Sequence, residues 1–103
     1  MVRVTVYYPN QPGARFDLDY YLSHHMPMVA EKLRAHGMKS WSVSKGVGGF
    51  GGAAATFLIQ ASLDFDSMEG LQAGMASESA AIMADIPNYT ELPPQIQIDE
   101  VLH

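Results

Sequence analysis

The chain predicts an α+β domain of βαββαβ order, and three observations carry the prediction. Val2, Val4, Val6 and Tyr8 alternate with Arg3, Thr5 and Tyr7, the period of a half-buried strand, and Pro9 ends the run. Leu18, Leu22, His25, Val29 and Leu33 recur at spacings of three and four, which aligns them along one stripe of a helix. Two more alternating runs, a second helical run and a final alternating run then follow, separated by turn residues. With 103 residues and no linker-like tract, one domain over 1–103 is expected. The order matches the split β-α-β arrangement of ferredoxin-like domains, a four-stranded antiparallel sheet with both helices on one face.

The first strand leads through a turn-rich connection, Asn10 to Arg15, to Asp17, a suitable N-cap. The helix that begins at Leu18 should run to Gly37, whose freedom at positive φ suits a C-terminal stop. Pro27 interrupts it. A proline lacks the N–H that the Ser23 carbonyl needs and biases Met26 away from α geometry, so a kink or brief break is expected there. Trp41, Val43 and Lys45 alternate with serines 40, 42 and 44 as a second strand. The glycine-rich run 46–51 matches a dinucleotide fingerprint in letters only. The segment after it, from Ala54 to Phe65, alternates as a strand, so no helix N-terminus is there to hold a phosphate, and a hairpin loop is expected. Asp66 and Glu69 form a capping-box pattern for a second helix reaching about Ala84, and Ile96, Ile98 and the segment to Val101 read as the last strand.

If the helices cover Val2, Val4, Val6, Phe57 and Ile59, the opposite sheet face carries Thr5, Tyr7, Leu58, Gln60, Gln95 and Gln97. So mixed a face suits a subunit interface or a pocket as well as it suits ordinary exposure.

Composition excludes several classes. The absence of cysteine removes thiolate chemistry, disulfides and cysteine-ligated metal sites. A net charge of −5 with six scattered Lys and Arg argues against a nucleic-acid partner. No apolar run approaches membrane length and no signal-peptide pattern opens the chain, so a cytoplasmic protein with no membrane partner is expected. No His-x-x-x-His or His-Glu-x-x-His spacing occurs, so no metal or other cofactor is expected.

Three pieces carry a family resemblance: Val6-Tyr7-Tyr8-Pro9; Phe16-Asp17 with Tyr20-Tyr21-x-x-x-His25-x-Pro27-Met28-Val29; and Asp85-Ile86-Pro87-Asn88-Tyr89-Thr90. Together they resemble the EthD family, named for a role in ethyl tert-butyl ether degradation, within the dimeric α+β barrel superfamily. The resemblance implies a homodimer in which two sheets pack together and a pocket lies beside the His-x-Pro helix. Relatives by fold include cofactor-free monooxygenases, isomerases, cyclases or decarboxylases and haem-binding enzymes, so a shared fold does not name a reaction.

The candidate residues follow from chemistry and from that motif. His25 is the expected general acid/base, because an imidazole gives and takes protons near neutral pH. The structural alternative is a buried ring that bonds carbonyls freed by Pro27. Asp85 is the expected partner that orients a histidine, or else it caps the turn before Pro87. Tyr7, Tyr21, Trp41 and Tyr89 are expected to contact a small apolar or aromatic metabolite. His24, turned about 100° from His25 on the helix, is expected at the surface. A cofactor-independent enzyme is the first functional expectation, and a non-catalytic ligand-binding or accessory dimer is the alternative.

Overall fold

The computed structural model describes all residues from Met1 to His103. Strands β1 (Val2–Pro9), β2 (Met38–Lys45), β3 (Phe57–Phe65) and β4 (Gln95–Glu100) form one antiparallel sheet in the order β2-β3-β1-β4. Helix α1 (Leu18–Tyr20) passes through a π-helical turn (Tyr21–His25) into α2 (Met26–Arg34), and α3 (Met68–Asp85) returns alongside α2. All helices lie on one sheet face, the ferredoxin-like arrangement expected from the sequence. The core is the layer between them, where Val4 and Tyr8 of β1 and Ile59, Ala61, Leu63 and Phe65 of β3 meet Tyr21, Met26, Val29, Leu33 and Leu71. No helix is long and apolar enough to cross a membrane.

The first helix departs from its expected form. Met26 is helical (φ −66°, ψ −41°), so the chain neither kinks into extended geometry nor breaks before Pro27. Instead the Met26 N–H donates to the Tyr21 carbonyl, a five-residue turn that widens the helix just where the pyrrolidine ring would press on the preceding turn. The extra residue also shifts the buried stripe. Tyr21 turns inward and Leu22 is 42% exposed, whereas uniform α spacing had placed Leu22 inside. Asp17 accepts from the Tyr20 N–H as the expected N-cap, and Gly37 adopts φ +90° after α2.

Two smaller expectations change. Ser67, not Asp66, caps α3 by accepting from the Gly70 N–H, which leaves Asp66 to pair with Lys39. β3 starts at Phe57 rather than Ala54, and a bulge between Tyr8 and Pro9 pairs Pro9 with Phe57. The bulge swaps faces at that end: Phe57 packs on Tyr7, while Leu58 joins Phe16 and Leu18 on the helix side.

Candidate active site

His25 sits on the inner face of the π turn and is 4% exposed. Two loops bring its partners from the far end of the chain. Arg15, before α1, donates to the carbonyls of Pro87 and Asn88 and pairs with Glu91, while the Thr90 hydroxyl donates to the Arg15 carbonyl. The Asp17 N–H donates to the Tyr89 carbonyl, and Phe16 bridges to Thr90. A short 3-10 turn (Ile86–Asn88), favoured by Pro87 in its first positions, follows α3 directly. Asp85 and Tyr89 therefore reach the histidine from the two ends of that turn.

The resulting network is continuous. His25 Nδ1 lies 2.9 Å from Asp85 Oδ2, and Nε2 lies 3.3 Å from Tyr89 Oη, which bonds to Tyr8 Oη at 2.5 Å. Tyr20 Oη and Asn88 Nδ2 both donate to Asp85 Oδ1, at 2.7 and 2.9 Å. An ionised carboxylate only accepts, so the network assigns the imidazole proton to Nδ1 and leaves Nε2 as an acceptor. Tyr21 stacks on the imidazole with centroids 5.4 Å apart, and Tyr89 tilts against it at 4.7 Å.

Electrostatics follow from this geometry. Desolvation pushes the His25 pKa below its ordinary value, against the opposing pull of Asp85, so the ring is neutral at pH 7. For Asp85 burial pushes upward, but hydrogen bonds from Tyr20, Asn88 and His25 outweigh it and hold the carboxyl below its usual range. Burial raises the phenols of Tyr89, Tyr21 and Tyr8. These hydroxyls thus stay protonated as donors.

Beside the ring lies a cavity of about 60 Å³ between the helices and the sheet, enough for a few water molecules. His25, Tyr8, Tyr21 and Ser79 are its residues with polar side-chain atoms; Val4, Val6, Val29, Met75 and Met83 are among its apolar walls. Of the four tyrosines around His25, Tyr8, Tyr20 and Tyr89 bond through their hydroxyls, while Tyr21 stacks on the imidazole and lines the cavity.

The structure thus brings His25, Asp85, Tyr21 and Tyr89 together, and separates Tyr7 and Trp41 from them. Tyr7 lies on the open sheet face against Phe57, opposite Gln60 and Gln95. Trp41 shares the helix-side face but sits on edge strand β2, 38% exposed and away from the cavity. The mixed open face had been the candidate pocket wall; the cavity lies on the opposite side, because a side chain on the inner helix stripe reaches only the face its helix covers. His24 is exposed and stacks on Tyr20, as its helical direction predicts. No three His, Asp or Glu side chains converge as metal ligands.

Tyr8, Asn88 and Arg15 were not singled out as site residues from the sequence, whereas Tyr20 was read as one of the tyrosines that could line a pocket. For Tyr8 a signal existed: its parity with Val4 and Val6 puts it on the helix side, whereas Tyr7 has the opposite parity. Nothing local marks Arg15, whose role depends on a loop more than 70 positions away.

A ferredoxin-like sheet with a buried, carboxylate-paired histidine at a π turn defines the class. Among solved structures, the chain is similar to an EthD-like protein from Ralstonia eutropha, at 40% identity over 99% of this chain and 92% of that one, with a TM-score of 0.91. An ethyl tert-butyl ether degradation (EthD) family protein from Bacillus halodurans is 25% identical over 99% of both chains, with a TM-score of 0.75. A dimeric ferredoxin-like protein from an uncultured marine organism, at 14% identity, 100% and 96% coverage and a TM-score of 0.65, shares the fold. No family model matches the chain, and no curated protein matches it. The protein belongs to the EthD family.

Proposed function

We propose that the protein binds a small, uncharged, largely apolar metabolite in the cavity beneath its helices and catalyses proton transfer on it, with His25 as the general base. The observation that carries this reading is a neutral imidazole, fixed in one tautomer by Asp85, on the wall of an otherwise apolar cavity. No Lys or Arg lines that cavity, so a carboxylate or phosphate ligand would find no counter-charge there. A carbonyl or phenol oxygen would accept from Tyr21 Oη. Deprotonation beside such an oxygen is the step shared by isomerisation, cyclisation, decarboxylation and cofactor-free oxygenation. Ligands larger than the closed volume enter by displacing Met75 and Met83, whose unbranched side chains repack readily.

The second copy belongs to the same proposal. The open sheet face packs on its counterpart in a homodimer, which covers Ser42, Ser62 and Gln60 and leaves both cavities on the outer, helical sides. The dimeric description of the marine ferredoxin-like protein supports a dimer and leaves the paired faces to this proposal.

The test is a thermal-shift screen of small enolisable ketones and phenols, followed by turnover of each ligand that stabilises the protein. His25→Gln is expected to keep binding and to lower turnover by about 10²-fold or more. Equal turnover in both proteins, or no stabilising ligand in the screen, would overturn the reading.

A further inference from the structure

The basic nitrogen of His25 is already engaged by a neighbouring phenol. Nε2 is hydrogen-bonded to Tyr89 Oη, and Tyr89 Oη is bonded to Tyr8 Oη; of these two phenols Tyr8 lines the cavity and Tyr89 does not. Because Nδ1–H is committed to Asp85, Nε2 must accept, so Tyr89 donates to it and Tyr8 donates to Tyr89. Every donor in the chain points toward one base. The Tyr8 oxygen, at the far end, keeps its acceptor capacity, since its one protein hydrogen bond is the one it donates to Tyr89.

We propose that Tyr8 takes the proton from a molecule in the cavity and that Tyr89 passes a proton on to His25, so that Tyr8, Tyr89, His25 and Asp85 form one relay. This rests on reading the cavity as an acid–base site, and it names Tyr8 as a catalytic residue of that site. For an enolisable ketone the α C–H bond breaks and its electron pair becomes the enolate double bond, with the carbonyl π pair moving to oxygen. The released proton bonds to Tyr8 Oη, the Tyr8 proton moves to Tyr89 Oη, and the Tyr89 proton moves to His25 Nε2. Each phenol loses one proton and gains one. The enolate oxygen accepts from Tyr21 Oη, and the imidazolium lies 2.9 Å from the Asp85 carboxylate. No oxidant or co-reactant is required. Burial makes a separate tyrosinate costly at Tyr8 and Tyr89, and a concerted shift avoids forming one.

The experiment uses cyclohexanone in heavy water, whose α hydrogens exchange for deuterium each time the enolate forms and is quenched. Broadening of its proton signals reports binding, and loss of the α-proton signal reports proton transfer. Wild type is expected to show both. Tyr8→Phe and His25→Gln are expected to bind while the exchange rate falls about tenfold or more. A Tyr8→Phe protein that keeps the rate while His25→Gln loses it overturns the relay and leaves His25 as the direct base. A His25→Gln protein that keeps the rate removes the acid–base reading itself, and wild type that binds without exchange above the buffer rate overturns the relay. Imidazole ¹⁵N shifts of the ligand-free protein give an independent readout and decide alone if the probe does not bind. Tyr89→Phe should move Nε2 toward the value of an unbonded acceptor nitrogen, and Tyr8→Phe should move it the same way by less. An Nε2 signal unmoved by Tyr8→Phe overturns the relay.

Discussion

The two faces of the sheet are built from alternate residues of the same strands and could hardly differ more. On the helix side Val4, Tyr8, Ile59, Ala61, Leu63 and Phe65 are buried, and the few polar groups there bond to one another around His25. On the open side Thr5 meets Ser62 and Gln97, Ser42 meets Ser62, and Arg3 pairs with Asp64 at 2.7 Å. The Arg3 guanidinium holds the Asp64 carboxyl below its ordinary value, yet this is a partly exposed pair that water and salt can replace. Exclusion of water is the difference that matters. Under the helices an unpaired polar atom is costly, so each hydrogen bond there narrows which proton sits where; on the open face the same groups would be interchangeable with solvent contacts.

The largest break in this contrast should come from deleting apolar bulk on the helix side. Leu33, with no exposed surface, closes the core between α2, α3 and the sheet, and Leu33→Ala should destabilise by about 3 kcal/mol in chemical denaturation. Ser42→Ala on the open face should stay within about 0.5 kcal/mol. Equal losses at both positions would mean that the two faces are not energetically distinct.

A smaller effect runs against helix propensity. Gly70 and Gly74 lie in α3, where alanine ordinarily gains about 1 kcal/mol over glycine. A Cβ at Gly70 would fall on the His36 carbonyl oxygen, and one at Gly74 would sit 3.0 Å from Leu33 Cδ2. The glycines permit α3 to approach the end of α2 closely. Gly70→Ala is therefore expected to lose about 1–2 kcal/mol net, read from the same denaturation curves. A gain in stability would show that the helices separate freely.

Acid should distinguish the faces next. His25 has a lowered pKa in the fold, so between its folded value and 6.5 the unfolded chain binds more protons and stability rises with pH. That contribution is complete above 6.5 and is lost as the pH falls toward the folded value. Asp85, also lowered, adds a second loss as the pH drops through its own folded value, below 3.8. His25→Gln removes the first step and should flatten the stability profile just below pH 6.5. A profile that His25→Gln does not change would mean that the ring titrates as it does in the unfolded chain.

Much of this was legible in the sequence, and the parts that were not share a cause. Strand parity and helix spacing placed Val4, Val29 and Leu33 because their periods are properties of one element. His25 was separable from His24 for the same reason. Pro27 announced a departure from the α-helix, but not that a π turn would absorb it, since that choice depends on how Tyr21 and Met26 fit the core. Asp85 could be named as a candidate partner for a histidine, yet its alternative as a turn cap stayed open until Arg15 and Thr90 tied the two loops together. Trp41, expected at a pocket, lies away from the cavity; its strand is an edge, and edges have an uncovered side. Parity alone places Tyr8 on the helix side with Val4 and Val6.

The smallest change to the fold offers the sharpest test of the open face. Ser62 lies mid-strand in β3 between Thr5 and Ser42, with Asp64 two residues along the same face. A glutamate there finds room and water in an isolated chain, so Ser62→Glu should shift unfolding by no more than about 0.5 kcal/mol at constant protomer concentration once dissociated. In a symmetric sheet-on-sheet dimer the same substitution adds a carboxylate from each copy near the centre of the interface, beside two Asp64 side chains. Like charges brought together without water are strongly unfavourable, and sedimentation equilibrium should then show monomers where the parent chain shows dimers. Dimers that persist in Ser62→Glu with unchanged affinity would place the subunit interface elsewhere. Cavity ligands should still bind the monomeric variant, because His25, Asp85, Tyr8 and Tyr89 all come from one chain.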